Sequence, residues 1–427
     1  MLTQRVPCAA AAAALLLSPT PLLAQQVADG WRTDLLIDPA GSQIELSDGS
    51  FVTFDGQFVA RVDATGVNAT TLFDFGAFVF GGALVAAPDE SFVVVGESSN
   101  GELYRVALDG SGGTFLADLD FNFDAAFAPD GALYVSAAVG GFGAGNDLLR
   151  VDVATGATTT VAQVAGPSGP IDFDSNGSLF YATQSGAFPA PAGSTDVLAW
   201  SDAQLNGGLL LSEADATLVE AGFDGGGSLV IDRVTDAIYL AENNFGSGLN
   251  QIRRVGAGSP VLFAGEPFEF LTLEGYVAGS GPQVFAPFQP EGAGRLTIGR
   301  SDFATINQRL ALTPQRPTLT SDGPGATGPG AVYLNIAGAA PLEGCLLYFA
   351  PGGTTESLVV PNLVPLFVEI DLGPATPFPF ALATGADGGA SVSLFNPGGA
   401  SLSMQGLLIG FEGGMMTALG TTTAVSF

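Results

Sequence analysis

The chain contains no histidine and no lysine. Their absence removes Ser-His-Asp triads, Cys-His pairs, histidine-ligated zinc, Schiff-base lysine and the phosphate-loop lysine. Cysteine is nearly absent too. Cys8 lies ahead of an N-terminal apolar run, and Cys345 has no second cysteine beside it for an internal disulfide once that leader is gone. Leu346-Leu347-Tyr348-Phe349 follow it and read as a core strand, so a buried, inert thiol is expected. Charge is sparse, 13% of residues, and one-sided: 42 acidic residues face 12 basic ones, all arginine, for a net charge of −30. Such a surface repels nucleic acid and anionic membranes and attracts cations such as Ca²⁺, while also keeping a secreted protein soluble. Past the N-terminus no run of 18 uninterrupted apolar residues occurs, so no membrane span is expected.

What the sequence does have begins with a leader. Arg5, the apolar stretch Ala9 to Leu17, the breakers Pro19 and Pro21, and Ala24 before Gln25 read as a signal peptide over residues 1–24. The expected destination is outside the cytoplasm: secreted, periplasmic or at the cell surface. Sixty Gly and 27 Pro then point to many turns and few long helices.

The organising feature is an internal repeat. A short acidic or Gly-containing turn leads into an apolar strand at Asp48-Gly49-Ser50-Phe51, Asp89-Glu90-Ser91-Phe92, Asp130-Gly131-Ala132-Leu133, Asp174-Ser175-Asn176-Gly177-Ser178-Leu179 and Thr235-Asp236-Ala237-Ile238, and more weakly at Gly281-Pro282-Gln283-Val284. Phe51, Phe92, Leu133, Leu179, Ile238 and Val284 are spaced by 41, 41, 46, 59 and 46 residues, within the roughly 40 to 50 of a propeller blade. An apolar inner strand precedes each of the four clear turns after the first (Ala83–Ala86, Ala125–Phe127, Ile171–Phe173 and Ser228–Ile231) and the weak one (Phe270–Leu273). A third strand follows at Phe58–Val62, Leu103–Val106, Leu148–Val151, Val197–Trp200 and Gln251–Val255. A Thr-rich outer strand completes four per period. The expectation is an all-β chain with a six-bladed β-propeller over 25–310, closed by a strand somewhere in Trp31 to Leu46. The 59-residue interval marks an insertion that includes Ser185 to Gly193; propeller insertions fall on loops at one face.

The segment Ile238-Tyr239-Leu240-Ala241-Glu242-Asn243-Asn244, followed by Asn250-Gln251-Ile252-Arg253-Arg254-Val255, resembles an NHL-type repeat. The resemblance implies membership of the six-bladed superfamily that holds regucalcin/gluconolactonase-like lactonases, TolB-like domains and non-enzymatic binding propellers.

After Arg316 no basic residue follows. Residues 311–330 read as a Gly/Pro-rich linker, and 331–427 as a small C-terminal β-sandwich with strands near 331–336, 345–349, 357–360, 366–370, 390–395, 402–409 and 421–427. The segment Ser403 to Ile409 resembles the C-terminal sandwich of exported bacterial proteins.

Candidate ligands are carboxylates and amides. Asp118, Asp120, Asn122 and Asp124 alternate with apolar residues, which would place four oxygen donors on one face of an extended strand for Ca²⁺, or form an outer strand and loop facing water. Asp172, Asp174 and Asn176 match the first half of a calcium loop, D-x-D-x-N-G, but Thr183 stands where the closing Glu belongs, so an ordinary turn is the simpler reading. The lactonase resemblance implies a divalent cation held by Glu, Asn and Asp of different blades, for which Glu97, Glu242, Asn243 and Asp172 are residues of the right types. No catalytic side chain is singled out. The leading expectation is an exported, non-enzymatic propeller that binds a ligand, a glycan or an extracellular protein; the alternative is a divalent-metal-dependent hydrolase or lactonase.

Overall fold

The computed structural model describes Val27 and residues 31–426 apart from 36–41, 64–65, 99, 139–144, 188–189, 234, 245–246, 257–260, 266–268, 278–294, 302–306, 315–317, 328, 338–343, 352–357, 361–365, 369–375, 384–388, 397–401, 413–414 and 423–424. The expected signal peptide lies outside the described residues. Two compact units are present: Thr33–Val261 with Gly265–Thr313, and Pro314–Phe427 with the described residues up to Arg32 and Leu262–Ala264.

Strand β1 (Trp31–Leu35) is followed by blade one, β2 (Ser42–Glu45), β3 (Phe51–Phe54), β4 (Phe58–Val62) and β5 (Ala69–Asp74). Blade two is β6 (Gly81–Ala86), β7 (Phe92–Glu97), β8 (Glu102–Ala107) and β9 (Gly113–Asp118). Blade three is β10 (Asn122–Phe127), β11 (Leu133–Ala137), β12 (Asn146–Val151) and β13 (Thr158–Val164). Blade four is β14 (Ile171–Phe173), β15 (Leu179–Ala182), β16 (Thr195–Trp200) and, after a short helix α1 (Asp202–Leu205) and the two-residue β17 (Leu211–Ser212), β18 (Thr217–Phe223); β17 itself pairs in parallel with β13, as a fifth strand of blade three. Blade five is β19 (Gly226–Asp232), β20 (Ala237–Asn244), β21 (Leu249–Arg254) and β22 (Val261–Ala264). Blade six takes β23 (Phe270–Val277), β24 (Arg295–Ser301) and β25 (Asn307–Pro314), with β1 pairing on β25 as its fourth strand. The closing strand thus comes from the N-terminal run, as expected. The sixth register point at Val284 lies outside the described residues, and β24 is the second strand of that blade.

The innermost strands β2, β6, β10, β14, β19 and β23 neighbour one another in turn, and β23 returns to β2, so the ring is closed. Each sheet buries both faces against its neighbours. The apolar clusters accordingly lie between consecutive blades: Val52, Val59, Val93 and Val106 between one and two, Leu103, Phe127 and Leu133 between two and three, Leu148, Phe173, Tyr181 and Trp200 between three and four. Second strands buried on both sides are largely apolar, as in Phe92–Glu97 and Leu133–Ala137, whereas an outer strand such as Thr217–Phe223 is mostly exposed.

The turns repeat one chemistry. Asp48, Asp89 and Asp130 each accept the backbone N–H two residues on, and Asp174 accepts those of Asn176 and Ser178. Gly49, Gly131 and Gly177 take the left-handed position that closes these turns, at φ near +80°. Blades two and five place Glu90 (φ 52°) and Asp236 (φ 56°) there instead. Each carboxylate then accepts two bonds from a serine in the preceding blade's turn: Ser47 N–H and Oγ donate to Glu90, and Ser175 N–H and Oγ to Asp236, all within 2.7–2.9 Å. A left-handed non-glycine costs roughly 1 kcal/mol or more, which these inter-blade bonds offset.

The second unit differs from expectation at its entrance. The expected linker 311–330 contains the end of β25, then β26 (Thr318–Asp322) and a 3₁₀ turn over Pro324–Ala326. Beyond it come β27 (Gly330–Ala337), β28 (Gly344–Pro351), β29 (Leu358–Val360), β30 (Leu366–Val368), β31 (Thr376–Ala383), β32 (Ala390–Asn396), β33 (Leu402–Glu412), β34 (Met415–Thr421) and β35 (Val425–Ser426). Gly- and Pro-rich composition misled here because Thr318-Leu319-Thr320 is a strand flanked by breakers. The sheets β26-β27-β32 and β31-β28-β33-β34 enclose Leu319, Val332, Leu334, Ile336, Cys345, Leu347, Met404 and Leu408, a two-layer β-sandwich core. Cys345 is fully buried within it. No helix among the described residues is long and apolar enough to cross a membrane.

Candidate functional site

The inner strands enclose an axial cavity of about 720 Å³, lined by residues of all six blades, among them Ile44, Asp124, Asp172, Ser228, Arg233 and Glu274. Its carboxylates do not converge on a shared point. Asp124, Asp172 and Glu274 are each fastened to a backbone N–H. Asp124 on β10 accepts Ala125 N–H at 2.8 Å and, across the blade boundary, Ile171 N–H at 2.9 Å. Asp172 on β14 accepts Phe173 N–H and, from the next blade, Ile231 N–H, both at 2.8 Å. Glu274 on β23 accepts Gln43 N–H of blade one at 2.8 Å. Between blades five and six the link is a hydroxyl: Leu273 N–H donates to Ser228 Oγ at 2.6 Å. An inner strand has no hydrogen-bonded neighbour on its channel side, so its outward N–H groups need acceptors. Polar side chains of adjacent inner strands supply them.

Burial dominates the electrostatics of these groups. It pushes the Asp124 carboxyl up to about 7, the Asp172 charge adding to the shift and the two N–H bonds opposing it. Asp172 is raised by burial against the pull of Arg233, and Glu274 by burial against Arg309. Asp124 keeps partial accessibility only because the surface it faces is the internal channel. Arg309 and Glu274 pair at 3.1 Å with both side chains about 95% buried. Arg233, from the blade-five turn, donates to Phe127 O of blade three at 2.6 Å and to Asp172 at 3.3 Å, so it straps three blades at the turn-side end of the channel.

The remaining sequence candidates fall at separate places. Asp118 ends outer strand β9, and Asp120 (φ 64°) is the bend beyond it. Asn122 and Asp124 start the next blade's inner strand, so the 118–124 run crosses from the edge of one blade to the axis and does not share one strand face. The bend is packed so closely on Gly101 (φ 80°) that a Cβ there would lie 2.2 Å from the Asp120 backbone. Asn122 accepts Ala83 N–H and donates to Glu97 O, both at 3.0 Å, and is fully buried. Asn243 likewise clamps Leu271, accepting its N–H at 2.8 Å and donating to its carbonyl at 2.7 Å. Glu97 and Glu242 occupy equivalent ends of second strands, opposite Gly81 and Gly226. Both are buried; Glu97 accepts Asn100 N–H, while Glu242 accepts Asp224 N–H and lies 3.6 Å from Arg253. Asp174 is occupied by its turn, and Asn176 is exposed beside it.

A shared cation requires several oxygens converging on one point. Among the described residues no three of His, Cys, Asp and Glu come together in that way. Glu97, Glu242, Asn243 and Asp172 each hold backbone of their own or a neighbouring blade, so the described residues do not fit a divalent-metal site of the expected kind. What the sequence reading missed is Glu274, Arg233 and Ser228. Glu274 was legible as an acidic residue in the inner-strand run Phe270 to Leu273 and just beyond; Arg233 and Ser228 carried no local signal.

No protein-family model matches the sequence, and no curated protein matches it. Among solved structures the chain is similar to a gluconolactonase from Xanthomonas campestris at 15% identity and a TM-score of 0.47, over 70% of this chain and 98% of that one. It is similar to the calcium-binding protein regucalcin from Agrobacterium tumefaciens at 15% identity and a TM-score of 0.42, over 69% and 96%. A nidogen/laminin complex chain aligns at 13% identity and a TM-score of 0.41, over 57% and 92%. The closed ring of six sheets, five of four strands and one of five, makes the larger unit a six-bladed β-propeller, the architecture that the NHL-type resemblance implied.

Proposed function

We propose that the axial channel is a small-molecule site and that its chemistry is hydrolysis of a neutral ester, in the manner of a lactonase but with a carboxylate base in place of a metal. One observation carries this reading: Asp124 presents a carboxyl held near pKa 7 to a cavity of about 720 Å³. A group of that pKa serves as a general base at neutral pH. In the proposed step Asp124 takes a proton from water, and the water oxygen bonds to the ester carbonyl carbon. The ring C–O bond then breaks, and the departing oxygen receives the proton from Asp124. The acidic channel disfavours anionic substrates and repels the carboxylate product. The NHL-type resemblance of 238–255 implies a superfamily that includes gluconolactonase-like lactonases, which makes aldonolactones the substrates to try first.

The test is acid release from an aldonolactone by the full chain with a chelator present. Asp124→Asn is expected to lower turnover by about 10²-fold or more, and the wild-type rate to rise with pH through an apparent pKa near 7. An inactive wild type, or an Asp124→Asn variant as active as wild type, would defeat the hydrolytic reading. The second reading, a binding propeller without catalysis, is favoured by the backbone clips that already occupy Asp124, Asp172 and Glu274; it stands if a channel ligand binds an inactive protein. Export is part of the same proposal, supported by the leader-like pattern of residues 1–24; a processed N-terminus near Gln25 in material from outside the cytoplasm checks it.

A further inference from the structure

The loop from β5 to β6 carries Phe78 and Phe80, 66% and 68% exposed. Two large apolar rings side by side at such exposure call for a physical reason. The loop that holds them is tied down. Val79 N–H, between them, donates to Gly56 O at 2.7 Å, and the Phe78 ring lies so close on Gly56 that a Cβ there would come within 2.5 Å of it. Phe80 O accepts Ser98 N–H at 2.9 Å and Ser98 Oγ at 3.2 Å. The rings stand with centroids 5.6 Å apart and planes 80° apart, an open aromatic corner. Ser98 and the adjoining Gly81 and Gly82 line the axial channel, so the corner sits at its rim, at the end away from the Asp-capped turns.

Charge around this corner is of one sign. Antiparallel strands bring the loops 55–57, 75–80, 98–101 and 119–121 to one end of blades one and two, and the capped turns to the other. In those loops and the strand ends beside them the charged residues are Asp55, Asp74, Glu97, Glu102, Asp118 and Asp120, all acidic. The two arginines of these blades are engaged towards the opposite end: Arg61 pairs with Asp48 at 2.6 Å, and the Arg105 guanidinium lies 4.1 Å from the Phe92 ring centroid. Asp55 and Asp74 are exposed on the two loops that build the corner. Each spends one oxygen, Oδ1, on its own surroundings: Asp55 accepts Gln57 and Phe58 N–H, and Asp74 accepts Gly76 N–H and the Gln57 amide. The face of a phenyl ring is itself electronegative and attracts a cation. The protein satisfies Phe92 and Phe223 in this way with Arg105 and Arg253. Among the described residues no guanidinium stands over Phe78 or Phe80.

We infer that the Phe78–Phe80 corner binds a quaternary ammonium group, whose methyl groups pack on the two rings while Asp55 and Asp74 supply the field that holds its charge. A metal ion needs several oxygens converging on one point, and the described carboxylates do not converge in that way. A primary ammonium is strongly hydrated and its donors need acceptors that two phenyl rings lack. A quaternary ammonium donates no hydrogen bond and has an apolar surface, so rings and a nearby negative field are what it requires. A second copy of the chain is a poor occupant, because Asp55 and Asp74 would meet like charges. The site lies outside the axial carboxylates, and the inference does not rest on hydrolysis in the channel.

The experiment is a ligand-observed NMR titration of the full chain at low salt with three probes. Choline carries the trimethylammonium head, 3,3-dimethylbutan-1-ol is its neutral isostere, and ethanolamine has the charge without the methyl groups. Choline is expected to bind saturably, about 3- to 10-fold tighter than either of the others. The double variant Phe78→Leu, Phe80→Leu should abolish that preference; both rings are exposed, so folding is not at stake, and the net charge is unchanged. Asp55→Asn with Asp74→Asn should weaken choline by about 2- to 5-fold and leave the neutral isostere unaffected. Choline bound no tighter than both other probes, or a preference that survives the double Phe variant, would overturn the inference. A dimer of the wild-type chain that the double Phe variant loses, with no choline preference in either, would assign the corner to self-association instead. Hydrolysis is read separately: a wild type inactive on aldonolactones that still prefers choline ends the hydrolytic reading alone, and an active one without the preference ends this one alone.

Discussion

Asp124 and Asp89 each accept backbone N–H groups, yet their carboxyls are displaced in opposite directions. Asp89 sits in an exposed blade turn, where the Ser91 hydroxyl and N–H hold its pKa below the usual carboxylate value. Asp48, Asp109 and Asp215 repeat this with Ser50, Ser111 and Ser212, and Asp152 with the N–H groups of Ala154 and Thr155. Asp124, Asp172 and Glu274 make similar bonds at the axis, but burial outweighs them and raises all three. Two hydrogen bonds suffice to favour the charged form only where water completes its solvation. The capping aspartates of the turns are local, while Glu90 and Asp236 tie their turns to the preceding blade. The axis uses carboxylates as links between blades and accepts the cost of desolvation.

The sharpest way to break this contrast is to remove an axial link. Glu274→Ala would leave the buried Arg309 guanidinium without its 3.1 Å partner and Gln43 N–H without an acceptor. A loss of roughly 3–5 kcal/mol is expected, read as a fall in the denaturant midpoint at unchanged m-value. Next comes the pH dependence at Asp124. Its folded pKa, about 7, lies above the unfolded value near 4, so the folded state binds the extra proton. Stability from this group is fully present below about pH 4 and is lost as pH rises towards 7, at roughly 1.4 kcal/mol per pH unit at most. Asp124→Asn should flatten that part of the stability profile. The turn carboxylates run the other way: their depressed pKa values give stability that is present near neutrality and lost as pH falls below about 4.

Smaller effects belong to the turns. Asp174→Ala removes the acceptor of two backbone N–H groups, at 2.9 and 2.7 Å, and is expected to cost about 1–2 kcal/mol, measured by thermal unfolding. The smallest change is Arg61→Gln. Arg61 and Asp48 are 2.6 Å apart but 37% and 54% exposed, so a loss of roughly 0.5 kcal/mol or less is expected, vanishing in high salt. If Asp174→Ala proved as costly as Glu274→Ala, the division between local caps and inter-blade links would fail.

The turn chemistry was legible because it is local. An Asp that caps the N–H two residues on, followed by a left-handed Gly, leaves its mark within five residues, and the spacing of those marks revealed five of the blades. The capping box of α1 was equally local, with Ser201 and Gln204 each satisfying the other's backbone, yet the strong β-repeat hid it. The axial site was only half legible. Asp124 and Asp172 were picked out as oxygen ligands, but their partners Ile171 and Ile231 lie 47 and 59 residues away, one blade on in each case. Such a pairing exists only once the ring has closed.

By itself the sequence determined the all-β class, the blade period and the absence of histidine and lysine chemistry, because strand patterning, turn residues and composition act over a few residues each. It also contained the insertion, as an interval too long for its neighbours. The tertiary structure alone decided that the acidic residues would be distributed as separate inter-blade links, and that one of them would be buried to a pKa near 7. These depend on which strands meet around the axis and how much water is excluded there, quantities that no segment of the chain carries on its own.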